Sequence, residues 1–595
     1  MRWITQARAW LLPWCLAALG LPAAAAGEAM QLPTVPESGI AVEITGWAGI
    51  TWHNTAGRDL GLVPLVVTIT NKSPFDRAWT IEPDRTSGRL PATAMPAVTI
   101  PVAAGDEATS TVYIDPGSPT TWGNPYIKVS GYGLVDGEQR FPVQAFSHGG
   151  GGAAGTTPKP VFPSAISSGV VSKAGKGLLE KYLIPGGMGL GLGQAPDDWR
   201  GWSVFSCLLL DDSEWIAMPA GGRKALLDWV GLGGKLGVMV VEASADRLDA
   251  IGLPRADADG RRRVGAGEIV PLEWDGRELA PTHLERFLAG SSEHPRADSV
   301  GDYVDSASGR WADGFKKLVD VFGPRLLPST AILGFLVIFG LVAGPLNVMV
   351  LAGPGRRPRM FWTTPLISLA ATMFLLALMF LRDGVGGAGA RRMLGLLMPD
   401  QNGMAIIQEQ FSRTGVLLGN AFPIREPSWM RPLGNVEAES GFLEVDGHRR
   451  EGDWFLSRSD QAYLVETVRP SRAKLELVAD ADGTPAIVSS IEVPLDRVFV
   501  IDEEGTYWTA TEVGTGERKP LDRSDADAYA TWFETLAADA GPIRRAALEA
   551  VRNRRGHAYA ETMQGAKAAV QTLSSIRWID DKAAFAGPFT RTADK

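Results

Sequence analysis

The chain has 595 residues, a formal net charge of −9, 45% hydrophobic and 21% charged residues, and a mean hydropathy of +0.01. At about 100–200 residues per domain this makes room for roughly three or four domains, and the acidic balance excludes a global basic field for nucleic acid. Two cysteines, Cys15 and Cys207, exclude a disulfide-rich scaffold and a four-thiolate zinc site.

Residues 1–26 read as a secretory signal peptide. Arg2 and Arg8 precede an apolar run from Ala9 to Leu21, and Ala23–Ala26 supply the small-residue cleavage site. Cleavage removes Cys15 and leaves Cys207 without a disulfide partner.

Residues 40–147 are spaced as short strands with turn signals between them. Leu65–Thr70, Val98–Val102, Ala108–Ile114 and Ile127–Tyr132 are β-rich, and Asn71-Lys-Ser-Pro, Ala104-Gly-Asp and Val135-Asp-Gly mark turns. The expectation is an immunoglobulin-like β-sandwich. Residues 148–159 form a Gly-rich linker.

Over residues 160–290 the period changes. Trp202–Leu210 is a continuous apolar run suited to a buried parallel strand that ends in Asp211 and Asp212. A helix follows over Gly222–Val230, and Lys235–Val241 is a second buried strand, which completes a βαβ unit. The runs Leu208–Trp215 (LLLDDSEW), Ala225–Val240 (ALLDWVGLGGKLGVMV) and Val264–Leu272 (VGAGEIVPL) resemble the class I glutamine-amidotransferase-like, flavodoxin-like domain of bacterial membrane-anchored proteins of unassigned function. In those proteins a sandwich, this α/β domain, a transmembrane hairpin and a β-rich region follow in the same order. The resemblance implies association with other membrane proteins or von Willebrand-type proteins that accompany AAA-type ATPases.

Residues 291–328 connect to two uncharged apolar runs, 331–351 and 361–381, each long enough to span a bilayer. No ionisable group lies inside either run, so they read as an anchoring hairpin rather than a conduction path. The loop 352–360 carries Arg356, Arg357 and Arg359 and no acid, which makes it cytoplasmic by the positive-inside rule. Both large soluble regions are then expected on the periplasmic face of a bacterial inner membrane.

Residues 391–520 are strand-rich, with strands at Gly403–Gln408, Gly415–Leu418, Ala462–Val468, Lys474–Val478 and Val498–Ile501 and a hairpin around Glu504-Gly505. A second sandwich is expected here. Residues 524–595 read as a helical segment ending in a possible strand. Ser524 and Asp527 form a capping box, Gly541-Pro542 separates two helices, and Arg544, Arg545, Arg552, Arg554 and Arg555 line a helix that faces solvent or anionic lipid. The whole is a multidomain α+β membrane protein.

Thiol catalysis needs a cysteine on a strand-to-helix elbow and a His–carboxylate pair. Lys235–Val241 is followed by Glu242-Ala-Ser244, without Gly-x-Cys-x-Gly, whereas Cys207 sits inside a strand. His283 and Glu285 match the family's His-x-Glu spacing. The catalytic candidates are therefore Cys207, Ser244, His283 and Glu285, with Glu242 and the strand-ending pair Asp211 and Asp212. Gly186–Gly193 lacks the Lys-Ser/Thr of a P-loop. The six histidines show no ligand spacing, so no cofactor or metal is expected. Trp47, Trp52, Trp79 and Trp122 are candidates for a glycan platform. The expected role is a non-enzymatic scaffold for other envelope proteins, with an envelope hydrolase and glycan binding as alternatives.

Overall fold

The computed structural model describes residues 29–46, 61–84, 97–114, 126–142, 164–167, 189–190, 195–205, 207–274, 282–283, 287, 300–305, 308–323, 329–434, 442–445, 448–479 and 484–591. The signal peptide, the 148–159 linker, Trp47, Trp52, Trp122, Glu285 and most of Gly186–Gly193 lie outside the described residues. The fold is mixed α+β.

The N-terminal strands form two four-stranded antiparallel sheets. One runs Ala29–Gln31, Ile40–Gly46, Val63–Asn71, Glu107–Ile114, and the other Val98–Val102, Arg77–Pro83, Tyr126–Gly131, Glu138–Pro142. Alternation drives their pairing. Ile40, Val42 and Ile44 point inward and share one core with Trp79, Ile100 and Val129 from the other sheet. Asn71 sits on the turn read from sequence, fully buried, with Nδ2 donating to the Phe75, Val102 and Ala103 carbonyls.

The next sheet has five parallel strands. Across it lie Gly189–Leu190, Ser164–Ser167, Cys207–Asp211, Lys235–Val240 and Gly267–Glu273, with Arg262–Val264 antiparallel at the edge. Among the parallel strands the order is second, first, third, fourth, fifth, that of an open doubly wound sheet. The helix Ala220–Gly231 links two of them. One expectation is corrected: Trp202–Leu210 is not a single strand. Trp199–Trp202 is a 3-10 turn capped by Asp198, and the strand itself is Cys207–Asp211. Trp202 spends its indole N–H on the Pro196 carbonyl, so its apolar bulk is buried without extended backbone.

After the hairpin a nine-stranded sheet dominates. Its order is Ser428–Leu433, Asp460–Pro470, Gly403–Thr414, Gly387–Met398, Ile576–Pro588, His557–Thr562, Leu495–Ile501, Tyr507–Val513, Asp522–Ser524. Gly387–Met398 pairs in parallel with Ile576–Pro588, so the C-terminal segment supplies the middle of the sheet rather than a helical appendage. Both faces are covered. Leu394, Leu396, Ala405 and Ile407 pack toward the helices Asp313–Asp320, Ala526–Ala538 and Pro542–Val551, while Met393, Leu397, Met404 and Ile406 face the small sheets of 422–452 and 475–520. The expected strand Gly415–Leu418 is a single bridge at Val416. The helix cap expected at Ser524 belongs to Asp525, whose Oδ1 accepts from Ala528 N at 2.7 Å. The hairpin turn at Gly505 holds φ at +90°, which favours glycine.

Buried charge ties the regions together. Glu409, on the Gly403–Thr414 strand and 1% exposed, accepts from Tyr303 Oη at 2.6 Å, Gly541 N at 3.1 Å and Arg544 Nε at 2.9 Å. Gly541 is required for this approach, since a Cβ there would lie 2.4 Å from the Tyr303 ring. Beside it Arg392 pairs with Asp539 and Asp580, both at 2.6 Å. On the other face Arg391 pairs with Asp581 at 2.7 Å and stacks over Trp578. This corrects the expectation that the arginines of this helix face solvent or anionic lipid: Arg544 is 1% exposed and paired with Glu409 in the core.

Two helical stretches are long and apolar enough to cross a membrane: Leu333–Leu351, mean hydropathy 2.2, and Arg357–Leu378, mean hydropathy 1.7. They pack on each other through Phe335 on Phe374 and through Asn347 Nδ2, which donates to Thr364 Oγ1 at 3.0 Å. Pro345 lies in a π-helical turn over Val342–Leu351; it has no N–H to give, which favours the wider backbone path.

Because an uncompensated buried charge costs about 3–5 kcal/mol, Glu409→Leu should lower chemical-denaturation stability by about that amount, and Tyr303→Phe by about 1–2 kcal/mol. Pairing Glu409→Leu with Arg544→Met should cost less than the two single changes added together, which a double-mutant cycle on the detergent-solubilised chain measures.

Candidate functional site

The sequence-derived catalytic candidates do not converge. Cys207 opens its strand, is 1% exposed, and stands in register with Lys235 and, one strand further, Glu268. His283 is at the other end of the sheet, where Nδ1 meets the Glu273 carbonyl at 3.2 Å. Five residues of strand separate those registers, roughly 16 Å at about 3.3 Å per residue. Lys235, beside Cys207, gives its ammonium to the Phe287 carbonyl at 2.8 Å, and burial lowers its pKa.

Asp211 and Asp212 are used structurally. Asp211 caps the helix Asp212–Ala217: its Oδ1 accepts from Glu214 N at 2.9 Å while Glu214 Oε2 accepts from Asp211 N at 3.2 Å. Asp212 pairs with Arg247 at 3.2 Å. Ser244 is exposed and extended at the start of the helix Ala245–Ala250, with no hydrogen bond from its side chain to the helix end. Glu242 is exposed. The neighbouring Ala243 N reaches Glu273 Oε1 at 2.9 Å, so Ser244 and His283 share a neighbourhood without a hydrogen bond between them. Trp79, from the proposed glycan platform, is fully buried and donates to the Tyr132 carbonyl at 3.0 Å; no stacking face is open. Among the described residues no group of three or more His, Cys, Asp or Glu is placed to hold a metal ion.

Two open spaces among the described residues lie between regions. A cavity of about 300 Å³ separates the first sandwich from Ser428–Leu433. Arg200 and Arg450 share Glu444 there at 3.1 and 3.2 Å, and Arg200 lies over the Tyr113 ring. Burial raises the Tyr113 pKa, with Asp198 adding to it. Burial works against the Arg450 charge and lowers its pKa despite Glu444.

A larger cleft, about 500 Å³, lies between the edge hairpin of the doubly wound sheet and the ends of Gly387–Met398 and Ile576–Pro588. Arg255, Arg263, Arg554 and Arg555 line it with Asp257 and His557. Arg263 is held by Asp257 at 3.1 Å and Asp259 at 2.8 Å. Arg554, 7% exposed, bridges the two units by donating from Nη1 to the Gly265 carbonyl at 2.8 Å. Burial and the nearby Arg263 push its pKa down to about 10. His557 is pushed down to about 4 by burial and by Arg554, and Nδ1 meets the Arg555 carbonyl at 3.0 Å. The sequence drew attention to Arg554 and Arg555 but assigned them to a helix face. They follow the helix Pro542–Val551 and turn into the next strand. Arg255 and Arg263 went unnoticed; their only signal was the Asp- and Arg-rich turn 254–265.

No protein-family model matches this chain, and no curated protein is significantly similar to it.

Two outcomes follow from this geometry. Cys207 should resist maleimide labelling in the folded protein and react fully only after denaturation, read by mass spectrometry. The second concerns pH. The fold keeps His557 neutral down to about 4, whereas an unfolded imidazole protonates near 6.5, so the unfolded state gains the proton first. The stability contribution is complete above pH 6.5 and is lost as pH falls toward 4, at about 1.4 kcal/mol per pH unit. His557→Gln should flatten that portion of the stability–pH curve.

Proposed function

We propose that the protein is a non-enzymatic, membrane-anchored scaffold of the bacterial cell envelope that presents its soluble body, on the periplasmic side of the inner membrane, to partner proteins. The observation that carries this reading is the packing of the regions before and after the hairpin into one body. Tyr303 precedes the anchor and Glu409 follows it, yet they share a 2.6 Å hydrogen bond. Trp199 Nε1 donates to the Pro427 carbonyl at 3.1 Å, and Arg554 reaches Gly265. Such contacts require both regions on one side of a membrane, hence an even number of crossings between them.

The stems of the hairpin support the same arrangement. Arg413 holds the Phe322 and Gly323 carbonyls at 2.9 and 3.0 Å, and Gly386 N donates to the Val416 carbonyl at 2.9 Å. Both stems thus emerge at one corner of the nine-stranded sheet. The loop between the helices exposes Arg356, Arg357 and Arg359, which favours its retention in the cytoplasm. The amidotransferase-like resemblance is compatible with the strand order, but the hydrolase alternative has its best nucleophile buried at the wrong end of the sheet.

Alkaline phosphatase fused after Lys595 should be active, and fused after Gly355 inactive, with a cytoplasmic fluorescent reporter giving the reverse. A cytoplasmic readout at Lys595 overturns the topology. In-cell crosslinking followed by mild-detergent purification should recover a reproducible stoichiometric complex with another envelope protein; a chain that always runs alone overturns the scaffold reading.

A further inference from the structure

The cleft of about 500 Å³ between the doubly wound sheet and the nine-stranded sheet has the volume of a small-molecule site and an excess of unassigned hydrogen-bond donors. Arg263 is taken by Asp257 and Asp259. Of the lining acids, Asp257 is thereby occupied and Glu503 meets Arg591 at 3.6 Å, which leaves the exposed Asp400. On the opposite side of the balance, Arg255 and Arg555 are exposed and have no carboxylate partner among the described residues. Arg554 has five N–H groups and spends three of its bonds on backbone carbonyls, two on Ala550 at 3.0 and 2.5 Å and one on Gly265 at 2.8 Å. Its remaining donors belong to a guanidinium fixed by both units, so no side-chain order has to be created when an oxyanion arrives.

Position decides between the sources of such an anion. The second anchor helix ends at Asp383, and the strand that follows runs from Gly387 to Met398, which lines the cleft. Its length puts roughly 36 Å of extended chain between the end of that helix and the cleft, which favours a soluble anion over a lipid headgroup.

We propose that this cleft binds a small soluble phosphoryl polyanion, of the size of pyrophosphate or a phosphorylated metabolite, through Arg255, Arg554 and Arg555. Planar guanidinium forks match phosphoryl oxygens bidentately, and a ligand gripped from the α/β unit by Arg255 and from the sheet by Arg554 and Arg555 bridges the two. The assignment stands apart from the scaffold reading, because it needs no partner protein.

The experiment is calorimetric titration of the full chain, in phosphatidylcholine nanodiscs, with pyrophosphate at constant ionic strength. One saturable site per chain is expected. Arg255→Ala combined with Arg555→Ala should weaken it by about tenfold or more while the thermal midpoint without ligand stays put, because both side chains are exposed. Equal binding by wild type and the double variant, or no heat beyond a potassium chloride control, overturns the proposal. Repeating the titration in nanodiscs containing phosphatidylglycerol separates the sources. An unchanged affinity supports a soluble ligand, and loss of pyrophosphate binding by competition reassigns the cleft to lipid headgroups and overturns it.

Discussion

The arrangement of this chain depends on one buried carboxylate. Glu409 lies in the third strand of the nine-stranded sheet, where water cannot solvate it, so its charge must be matched by donors from the protein. Those three donors come from two stretches far apart in the chain: Tyr303, which precedes the two apolar helices, and one C-terminal helix, which gives the backbone N–H of Gly541 at its start and the guanidinium of Arg544 within it. A helix N-terminus carries partial positive charge, so Gly541 N supports the anion as well as ending the preceding turn. Satisfying Glu409 therefore fixes the connecting segment, the sheet and the last helix relative to one another. Buried ion pairs seldom add net stability over an apolar replacement. Their effect here is on geometry, since a slip of any one element leaves a charge stranded.

That geometry bears on the proposed topology. A sheet whose centre is built from the strands 387–398 and 576–588, paired in parallel, requires the chain to travel from one edge of the body around to its middle. The route includes the helices that cover one face. The hairpin is meanwhile an excursion that departs from and returns to the same corner, near Arg413 and Val416. In the proposed topology the two apolar helices are thus free to tilt or twist with the bilayer while the Glu409 node, whose donors Tyr303, Gly541 and Arg544 all lie outside those helices, keeps its form.

The features legible in the sequence were local. Two uncharged 21-residue runs, a Gly-Pro helix break, a Glu-Gly hairpin and alternating strands all report on their own neighbours, and the helices Met360–Asp383 and Pro542–Val551 and the hairpin at Gly505 appear where that patterning placed them. The failures were non-local. Nothing local marks Arg391 and Arg392 as core residues, because their partners Asp539, Asp580 and Asp581 lie 147, 188 and 190 residues away. Asp211 and Asp212 stood at a strand's carboxyl end, where ligands often bind; only the contact with Glu214 shows that the first is a cap. Trp202 belonged to an apolar run with the composition of a strand, and periodicity alone does not distinguish a buried strand from a buried turn.

The same distinction explains why the cleft had no signature. Its arginines come from the loop and edge strand over residues 255–263 of one sheet and from the loop entering a central strand of another, and neither stretch carries a spaced motif. What assembles them is the Arg554 bridge to the Gly265 carbonyl, together with the close fit of the helix Ala220–Gly231 against Met398, where a Cβ on Gly231 would lie 2.4 Å from the Met398 sulfur. The cleft is thus a by-product of a tight seam between two units, held on one side by the apolar contact of Gly231 with Met398 and on the other by the Arg554 cation bound to carbonyls, and the proposed anion site rests on that seam.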